Sequence, residues 1–209
     1  MPFRKCKNII FNFKHRIMIA TKIKRIILAD MSLISADLST AALAKAAIDA
    51  AIAAAAATPA TATDITNVHQ DTWQITESDA SVESYRNDIA NSIYRRDLTP
   101  GDLTLQFTMG EYSEQVKAAL RGGSVITKGG TDADKDTVVG YKGDAPDISI
   151  EKAAFCLTQD GYWFIYPKVK IAANTNETDK AAMLAVKGYP SKPSATIATE
   201  YNFNSALLG

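Results

Sequence analysis

The sequence predicts a mainly β protein, an antiparallel β-sandwich or barrel with one short helix, preceded by an alanine-rich N-terminal helix. Three observations support this prediction. Apolar and polar residues alternate with a period of two in several runs, which is typical of strands with one buried face. Turn-forming residues separate these runs at short intervals. One run before residue 60 is rich enough in alanine, the best helix former, to make a long helix.

The clearest alternation lies in residues 103–109, where apolar and polar side chains occupy opposite faces of the predicted strand. The apolar positions are Leu103, Leu105, Phe107 and Met109, and the polar positions are Thr104, Gln106 and Thr108. We expect the run from Ile89 to Arg96 to be its hairpin partner, joined by the turn Thr99-Pro100-Gly101-Asp102. Proline pre-sets the first turn angle and glycine accepts the positive φ that follows.

Two helices are predicted. Residues 33–57 favour a helix by alanine content, with Ile34, Leu38, Ala41, Ile48 and Ile52 on one face. Lys45 and Asp49 interrupt this run, so we expect no membrane span. A short helix from Glu114 to Leu120 follows the predicted hairpin, with Ser113 as its N-cap and Gly122-Gly123 at its end.

The rest of the chain is predicted to form strands at residues 124–127, 148–158, 162–173, 181–188 and 195–203. In the third of these, Pro167 has no N–H to donate, so we expect an edge strand or a bulge there. Its apolar positions 163, 165, 169 and 171 are expected on a single face. Residues 174–179 are expected to form a loop.

Charge and composition suggest three parts. Residues 1–30 contain eight Lys or Arg and one Asp, whereas the rest of the chain has 15 basic and 22 acidic residues, a net charge of −7. We expect a basic head (residues 1–30) that is disordered or not native, an alanine-rich helix and linker (31–64), and a β-sandwich domain (65–209). For the head, three interpretations stay open: a true start at Met18 or Met31, a disordered basic arm, and a targeting peptide. The acidic body argues against a nucleic-acid reader.

No catalytic site, metal centre or cofactor site is expected from the sequence. Histidine occurs only as His15 in the head and His69 in the linker region, and no nucleophile turn or phosphate loop is present. We therefore expect a protein that is not an enzyme.

One acidic run has partial metal-ligand spacing. Asp132, Asp134 and Asp136 follow the alternate spacing of a calcium loop. Thr137 and Gly143, however, stand where such a loop needs glycine and a bidentate glutamate. The interpretations are a solvated acidic loop and, as the alternative, a weak cation site.

Two further features have alternative interpretations. Arg95 and Arg96 could contact phosphate, but a basic pair beside a turn is more typical of a solvated hairpin end or a subunit contact. The aromatic residues at 162–166 could stack on a sugar. Because consecutive strand residues point to opposite faces, core packing and an interface explain them better.

The order of these pieces resembles the major tail protein, or tail tube protein, of long-tailed bacteriophages. The resemblance rests on WQITESDASVESYRNDIANSIYRRDLTPGDLTLQFTMGEYSEQVKAALRGG followed by YWFIYPKVKIAA, and it covers about residues 65–205. In that family a hairpin, a short helix and a later strand with an aromatic-Pro-Lys core build a β-sandwich. The corresponding pieces here are Ile89–Met109, Glu114–Leu120 and Phe164–Lys170.

The resemblance implies hexameric rings that stack into a hollow tube, through which DNA leaves the particle. The inner sheets of a ring would join into one continuous barrel, with Thr104, Gln106 and Thr108 as candidate lumen-facing residues. Net negative charge would favour sliding of DNA over sticking.

The same resemblance implies a protein of the virion tail, assembled in the host cytoplasm without a membrane. Its partners would be further copies of itself and the tape-measure, tail terminator and baseplate or tail-tip proteins, with DNA only in transit. Three other classes stay open: the tube of a contractile injection or secretion system, a carbohydrate-binding β-sandwich, and an enzyme.

Overall fold

The computed structural model describes residues 22–57, 61–143, 150–178 and 181–208. As predicted, the chain is mainly β, with antiparallel sheets and two α-helices. The strands are β1 (Ile23–Ala29), β2 (Thr63–Ile65), β3 (Gln74–Glu77), β4 (Ser81–Arg86), β5 (Ile93–Thr99), β6 (Leu103–Met109), β7 (Ser124–Thr127), β8 (Val138–Lys142), β9 (Ile150–Thr158), β10 (Tyr162–Thr178), β11 (Ala181–Pro190) and β12 (Tyr201–Asn204). The helices are α1 (Ala41–Ala56) and α2 (Glu114–Arg121), with single 3-10 turns at Met31–Leu33 and Ser205–Leu207.

One large sheet contains eight of these strands. Seven follow the order β2-β1-β9-β10-β11-β6-β3, and β12 also pairs with β10. The remaining four strands form two separate hairpins, β4-β5 and β7-β8. The strands at the two ends of the large sheet are therefore β2 and β3.

β1 is an interior strand of the large sheet, paired on both sides, although it lies in the segment predicted to stand outside the fold. It pairs with β9 from Ile23↔Thr158 to Ala29↔Ala153 and with β2 on its other side. Its residues 26–29 are almost fully buried. The expectation of a head ending at residue 30 is thus wrong for residues 22–30, while residues 1–21 lie outside the described residues.

β2 corrects a second part of the predicted boundary, because its residues 63 and 64 were expected to belong to the linker. Arg25 of β1 bonds Asp64 of β2 through two contacts, Nε to Oδ1 at 2.9 Å and Nη2 to Oδ2 at 2.8 Å. This ion pair places a basic residue of the predicted head inside the strand pairing. The folded body therefore includes residues 22–57 and does not begin near residue 65.

The core has two layers, one on each side of the central strands. Along β1, β9 and the first part of β10, every second residue packs into one cluster and the residues between them pack into the other. We call the cluster that contains Ile26 and Phe164 the inner cluster, and the cluster that contains Ile27 and Trp163 the outer cluster. The inner cluster also receives Ile65 of β2 and Leu105, Phe107 and Met109 of β6. Because these strands lie towards opposite ends of the sheet, the sheet must curl around the inner cluster. Burial on both faces explains why the central strands are continuous apolar runs.

α1 covers the outer cluster. It begins at residue 41, after the Thr40 cap whose Oγ1 accepts the N–H of Leu43 at 3.3 Å, and is therefore shorter than the predicted helix of residues 33–57. Its buried residues are Ala44, Ala47, Ile48 and Ala51. Small alanine side chains let the helix lie close to the sheet. Within the described ranges, no helix is long and apolar enough to cross a membrane.

The long strand β10 changes faces at Pro167. Its pairing with β9 shifts register between Tyr166 and Val169, which confirms the predicted bulge. The bulge makes the prediction of a single apolar face wrong: Trp163 belongs to the outer cluster, whereas Val169 belongs to the inner one. The predicted loop at 174–179 is also wrong where it is described, because β10 pairs with β11 up to Thr178.

The predicted hairpin between residues 89–96 and 103–109 is wrong. β6 pairs with β3 and β11, and β5 pairs with β4. Gly101 does not have the positive φ expected of it. Instead, a Cβ at Gly101 would lie 1.6 Å from the carbonyl oxygen of Ser78, so glycine is needed for a close approach. Ser78 also bonds Asp102 twice, which closes the base of the β4-β5 hairpin.

The short helix and its surroundings follow the prediction more closely. α2 is capped by Ser113, whose Oγ accepts the N–H of Val116 at 3.3 Å, and it ends at Gly122 with φ 78°. β7 confirms the strand predicted at 124–127, whereas β8 was not predicted. The strand predicted at 195–203 is limited to β12.

Candidate functional site

The alternation predicted for β6 is confirmed. Leu105, Phe107 and Met109 are buried in the inner cluster, and the polar residues between them are only partly buried. Thr104 Oγ1 donates to the carbonyl oxygen of Thr76 at 3.2 Å, and the Gln106 amide donates to the Gln74 side chain. These polar side chains therefore bond their neighbours on the outer side of the sheet.

The outer side of the sheet is covered in one half and open in the other. α1 packs over β1, β9 and the first part of β10, whereas exposed or half-buried side chains cover the same side of β3, β6, β11 and the second part of β10. We call this second area the open face. Its residues are Gln74, Thr76, Thr104, Gln106, Thr108, Lys170, Ala172, Asn174, Ala185, Lys187 and Tyr189. Cross-strand pairing places Lys187 directly beside Gln106.

The charge of the open face differs from that of the whole body. Lys170 and Lys187 are both exposed on it, and the exposed Glu151 of β9 lies beside Lys170 on the same side of the sheet. Glu151 forms an ion pair with Lys168 at 3.1 Å, so its charge is already compensated. The three residues Thr104, Gln106 and Thr108 therefore lie on a neutral-to-basic surface, not an acidic one.

The curled sheet leaves a groove between β3 and the start of β1. It has a volume of about 740 Å³ and is lined by Lys22, Ile23 and Gln159 on one side and by residues 68–71 and 73–76 on the other. Trp73 lies at the groove, with its ring 6.3 Å from that of Phe107. β3, which lines the groove, pairs with β6 alone among the described strands. The outer edge of β3 thus remains free for pairing with another chain.

The β4-β5 hairpin, residues 81–99, is here called the arm. Neither of its strands pairs with the large sheet, and nearly all of its side chains are exposed. Among the described residues, ten large apolar side chains are exposed, and five of them lie on the arm. These five are Val82, Ile89, Ile93, Tyr94 and Leu98. Such a concentration of exposed apolar side chains is typical of an interaction surface.

On one face of the arm, the charged side chains bond partners within the same chain. Arg95 bonds Asp97 through two contacts of 2.8 and 2.6 Å, and its guanidinium lies 5.3 Å from the centre of the Tyr85 ring. The cross-strand pairs Tyr85↔Arg95 and Glu83↔Asp97 place all these groups on the same face. Arg95 is therefore occupied in holding the arm together.

The opposite face of the arm has no such partners. Val82 pairs with Leu98 and Ser84 with Arg96, and Val82 and Leu98 are 57% and 67% exposed. Arg96 forms no ion pair with any residue that the structure describes. We call Val82, Ser84, Arg96 and Leu98 the unpaired face. The structure thus separates the two arginines predicted together as a subunit contact and leaves only Arg96 available.

The tip of the arm is a fixed turn. Asn87 Oδ1 accepts the N–H groups of Ile89 and Ala90 at 2.8 and 3.0 Å, and Asn91 takes a positive φ of 47°. These bonds hold Ile89 at the apex, where it is 97% exposed. The arm therefore presents its apolar tip in a defined conformation.

The acidic loop does not gather its carboxylates. Asp132, Asp134 and Asp136 lie in the connection between β7 and β8, where Asp134 forms an ion pair with Lys128. Over the described residues, no three His, Cys, Asp or Glu side chains come together as a metal site would require. This arrangement therefore gives no geometric support to the alternative cation site.

The aromatic platform considered for sugar binding is wrong, because three of its four aromatic residues are buried. Trp163, Phe164 and Tyr166 are all in the core, as expected from the packing alternative. Burial raises the pKa of the Tyr166 hydroxyl and of the Cys156 thiol, so both stay protonated at neutral pH. A buried thiol of this kind is a packing residue and not a nucleophile.

The sequence predicted a strand at residues 89–96, but it predicted the strand at 103–109 as its partner instead of β4. Residues 81–86 contain Val82, Tyr85 and Arg86 in a polar context, which is typical of a solvated strand, yet β4 was not predicted. Ile89 was placed in a strand, whereas it lies in the turn.

The chain matches no protein-family model and no curated protein.

Proposed function

We propose that this chain is a structural protein of a bacteriophage tail, which forms hexameric rings that stack into the tube for DNA passage. The observation that carries the proposal is the arm. An isolated chain gains nothing from holding five large apolar side chains in water on a separate hairpin. A chain that assembles with copies of itself can bury them.

The large sheet supports the same proposal through its free edge. β3 lines the groove beside the start of β1 and has one unpaired edge among the described strands. Pairing of that edge with a neighbouring subunit would extend the sheet around a ring. It would also remove the hazard that a free edge strand presents for uncontrolled aggregation.

The open face is the candidate lumen surface. It is the uncovered side of four strands, and it contains the candidate residues Thr104, Gln106 and Thr108. Its exposed Lys170 and Lys187 change one expectation about the channel, because a lumen formed by this face would be slightly basic. Passage of DNA would then depend on weak, salt-screened attraction to phosphate and not on repulsion.

In this proposal the chain has no catalytic role and no cofactor. Its partners are copies of itself, the tape-measure and tail terminator proteins, and the baseplate or tail-tip proteins. It is located in the virion tail after assembly in the host cytoplasm. The tube of a contractile injection or secretion system would use the same surfaces, and the genes beside this one would distinguish the two. A carbohydrate-binding module loses its support because the aromatic residues at 163–166 are buried.

Electron microscopy of the purified full chain tests the proposal directly. Negative-stain images at high protein concentration should show six-membered rings or stacked tubes, and light scattering should show the matching increase in mass. A protein that remains monomeric under both methods across a wide concentration range would contradict the proposal.

A further inference from the structure

We infer that the unpaired face of the arm binds an acidic surface at the base of the arm on a second copy of this chain. This inference rests on the proposed function and names the contact that would drive assembly. The unpaired face combines two apolar side chains, Val82 and Leu98, with the guanidinium of Arg96. Arginine beside exposed apolar area is a typical composition for the centre of a protein interface.

The charge of Arg96 disfavours direct packing of two unpaired faces against each other. Two unpaired faces packed against each other would bring Arg96 near its own counterpart, and like charges that meet in an interface are strongly unfavourable. The face therefore needs a different, negatively charged surface on the second copy. When such a contact between two different surfaces repeats head to tail from copy to copy, it is heterologous and generates closed rings or open stacks.

An acidic surface of this kind lies at the base of the arm. Glu77, Asp79 and Asp102 are all exposed there, and no ion pair joins any of them to the residues that the structure describes. Two hydrogen bonds between Ser78 and Asp102 hold the two chain segments together. These bonds hold Asp102 beside Ser78, whose chain neighbours are Glu77 and Asp79, while Arg96 lies partway along the arm.

The chain therefore has a complementary pair of surfaces that its own fold does not bring together. An arm from one copy, laid across the base of the arm on the next, would place Arg96 among these carboxylates. Val82 and Leu98 would lose their exposure to water in the same step. Repetition of this contact from copy to copy needs no additional protein.

A charge-swap experiment tests the inference. Arg96→Glu should oppose the acidic base of its neighbour, and the double variant Asp79→Lys/Asp102→Lys should oppose the unchanged arm. Each variant alone should need about tenfold more protein to assemble, as expected for like charges in an interface. An equal mixture of the two should assemble within about threefold of the unmutated chain, because opposite charges then meet at every contact.

The mixture is the decisive measurement, made by sedimentation velocity and negative-stain microscopy. A folding defect in either variant cannot be repaired by mixing, so restored assembly would support the specific contact. Arg95→Gln and Arg96→Gln add a matched pair, since each removes one positive charge but from opposite faces. Arg95→Gln loses its bonds to Asp97 within the arm but leaves the unpaired face unchanged, so it should assemble at lower protein concentration than Arg96→Gln.

The outcomes separate the two proposals. If the unmutated chain assembles and the variants assemble equally well, or the mixture fails to recover, the contact is wrong while the tube proposal stands. If the unmutated chain is monomeric throughout, both are wrong.

Discussion

β6 and the arm are neighbours in the chain, and both are antiparallel strands with alternating side chains, yet they use their apolar residues in opposite ways. β6 buries Leu105, Phe107 and Met109 in the inner cluster. The arm leaves Val82 and Leu98 more than half exposed. The difference lies in what surrounds each strand: β6 has strands on both sides, whereas each strand of the arm pairs only with the other.

This contrast separates the free energy of folding from that of assembly. Burying one large apolar side chain stabilises a fold by about 1.5–3 kcal/mol. In the isolated chain Phe107 contributes such a term, and Leu98 contributes little because it remains in water. The large sheet should therefore determine whether the protein folds, and the arm should determine whether it assembles.

The largest effect should come from deleting residues 1–30, which removes β1 from its place between β2 and β9. Both faces of β1 are buried, and β9 and β2 would each lose a partner. We expect no soluble, folded protein. As the control, replacing residues 82–98 with a short Gly-Ser turn should leave the circular dichroism and solubility of the remaining sheet intact. A soluble and folded protein lacking residues 1–30 would show that β1 is dispensable.

The next effect concerns single side chains in the two regions. Phe107→Ala should lower the free energy of unfolding by about 3–5 kcal/mol, because it removes a buried aromatic ring. Leu98→Ala on the arm should change it by no more than about 0.5 kcal/mol. Denaturant titration of both variants measures the difference. Equal losses in the two variants would mean that the arm is part of the folding core.

A smaller effect should follow from crowding the core. A Cβ at Gly188 of β11 would lie 2.7 Å from Val169 Cγ1, which is too close for ordinary contact. Gly188→Ala should therefore destabilise the fold by about 1–3 kcal/mol through overpacking. Gly140→Ala in the exposed β7-β8 hairpin is the control, since its nearest neighbour would lie 3.7 Å away. Equal thermal midpoints for the two variants would indicate that the sheet relaxes without cost.

The sequence was sufficient for elements whose signals are local. The alternation of β6, the Ser113 cap of α2 and the bulge at Pro167 each depend on a few adjacent residues, and all three were predicted. The fold class follows from the repetition of such signals along the chain.

The partners of each strand, and the burial of a strand on both of its faces, could not be predicted from adjacent residues in this way. β1 was assigned to a basic head because Lys22, Lys24 and Arg25 dominate its composition, although Arg25 meets its partner Asp64 only in the folded sheet. β5 and β6 are adjacent in sequence, but Ser78 holds the connection between them at the base of the arm, so each pairs elsewhere. These features depend on contacts between distant residues, which a local pattern does not contain.

The smallest effect on folding should come from the open face, where a change is expected to act only after assembly. Gln106 is half-buried, lies on the outer side of β6 and is paired across the sheet with Lys187. Gln106→Lys, like Thr104→Lys, should change the free energy of unfolding by no more than about 1 kcal/mol, because the added ammonium remains in water.

In an assembled tube the same substitution should have a visible consequence. If the open face lines the channel, each subunit of Gln106→Lys adds one positive charge to a surface that already holds Lys170 and Lys187. Phosphate would be attracted more strongly, so DNA ejection from particles should slow, most of all at low ionic strength where screening is weakest.

Gln106→Glu is the control and should not slow ejection at any salt concentration. Normal ejection of Gln106→Lys particles at every salt concentration, with tubes formed normally, would mean that this face lies outside the channel. Loss of solubility would mean that Gln106 is needed for packing, contrary to its position on the open side of the sheet.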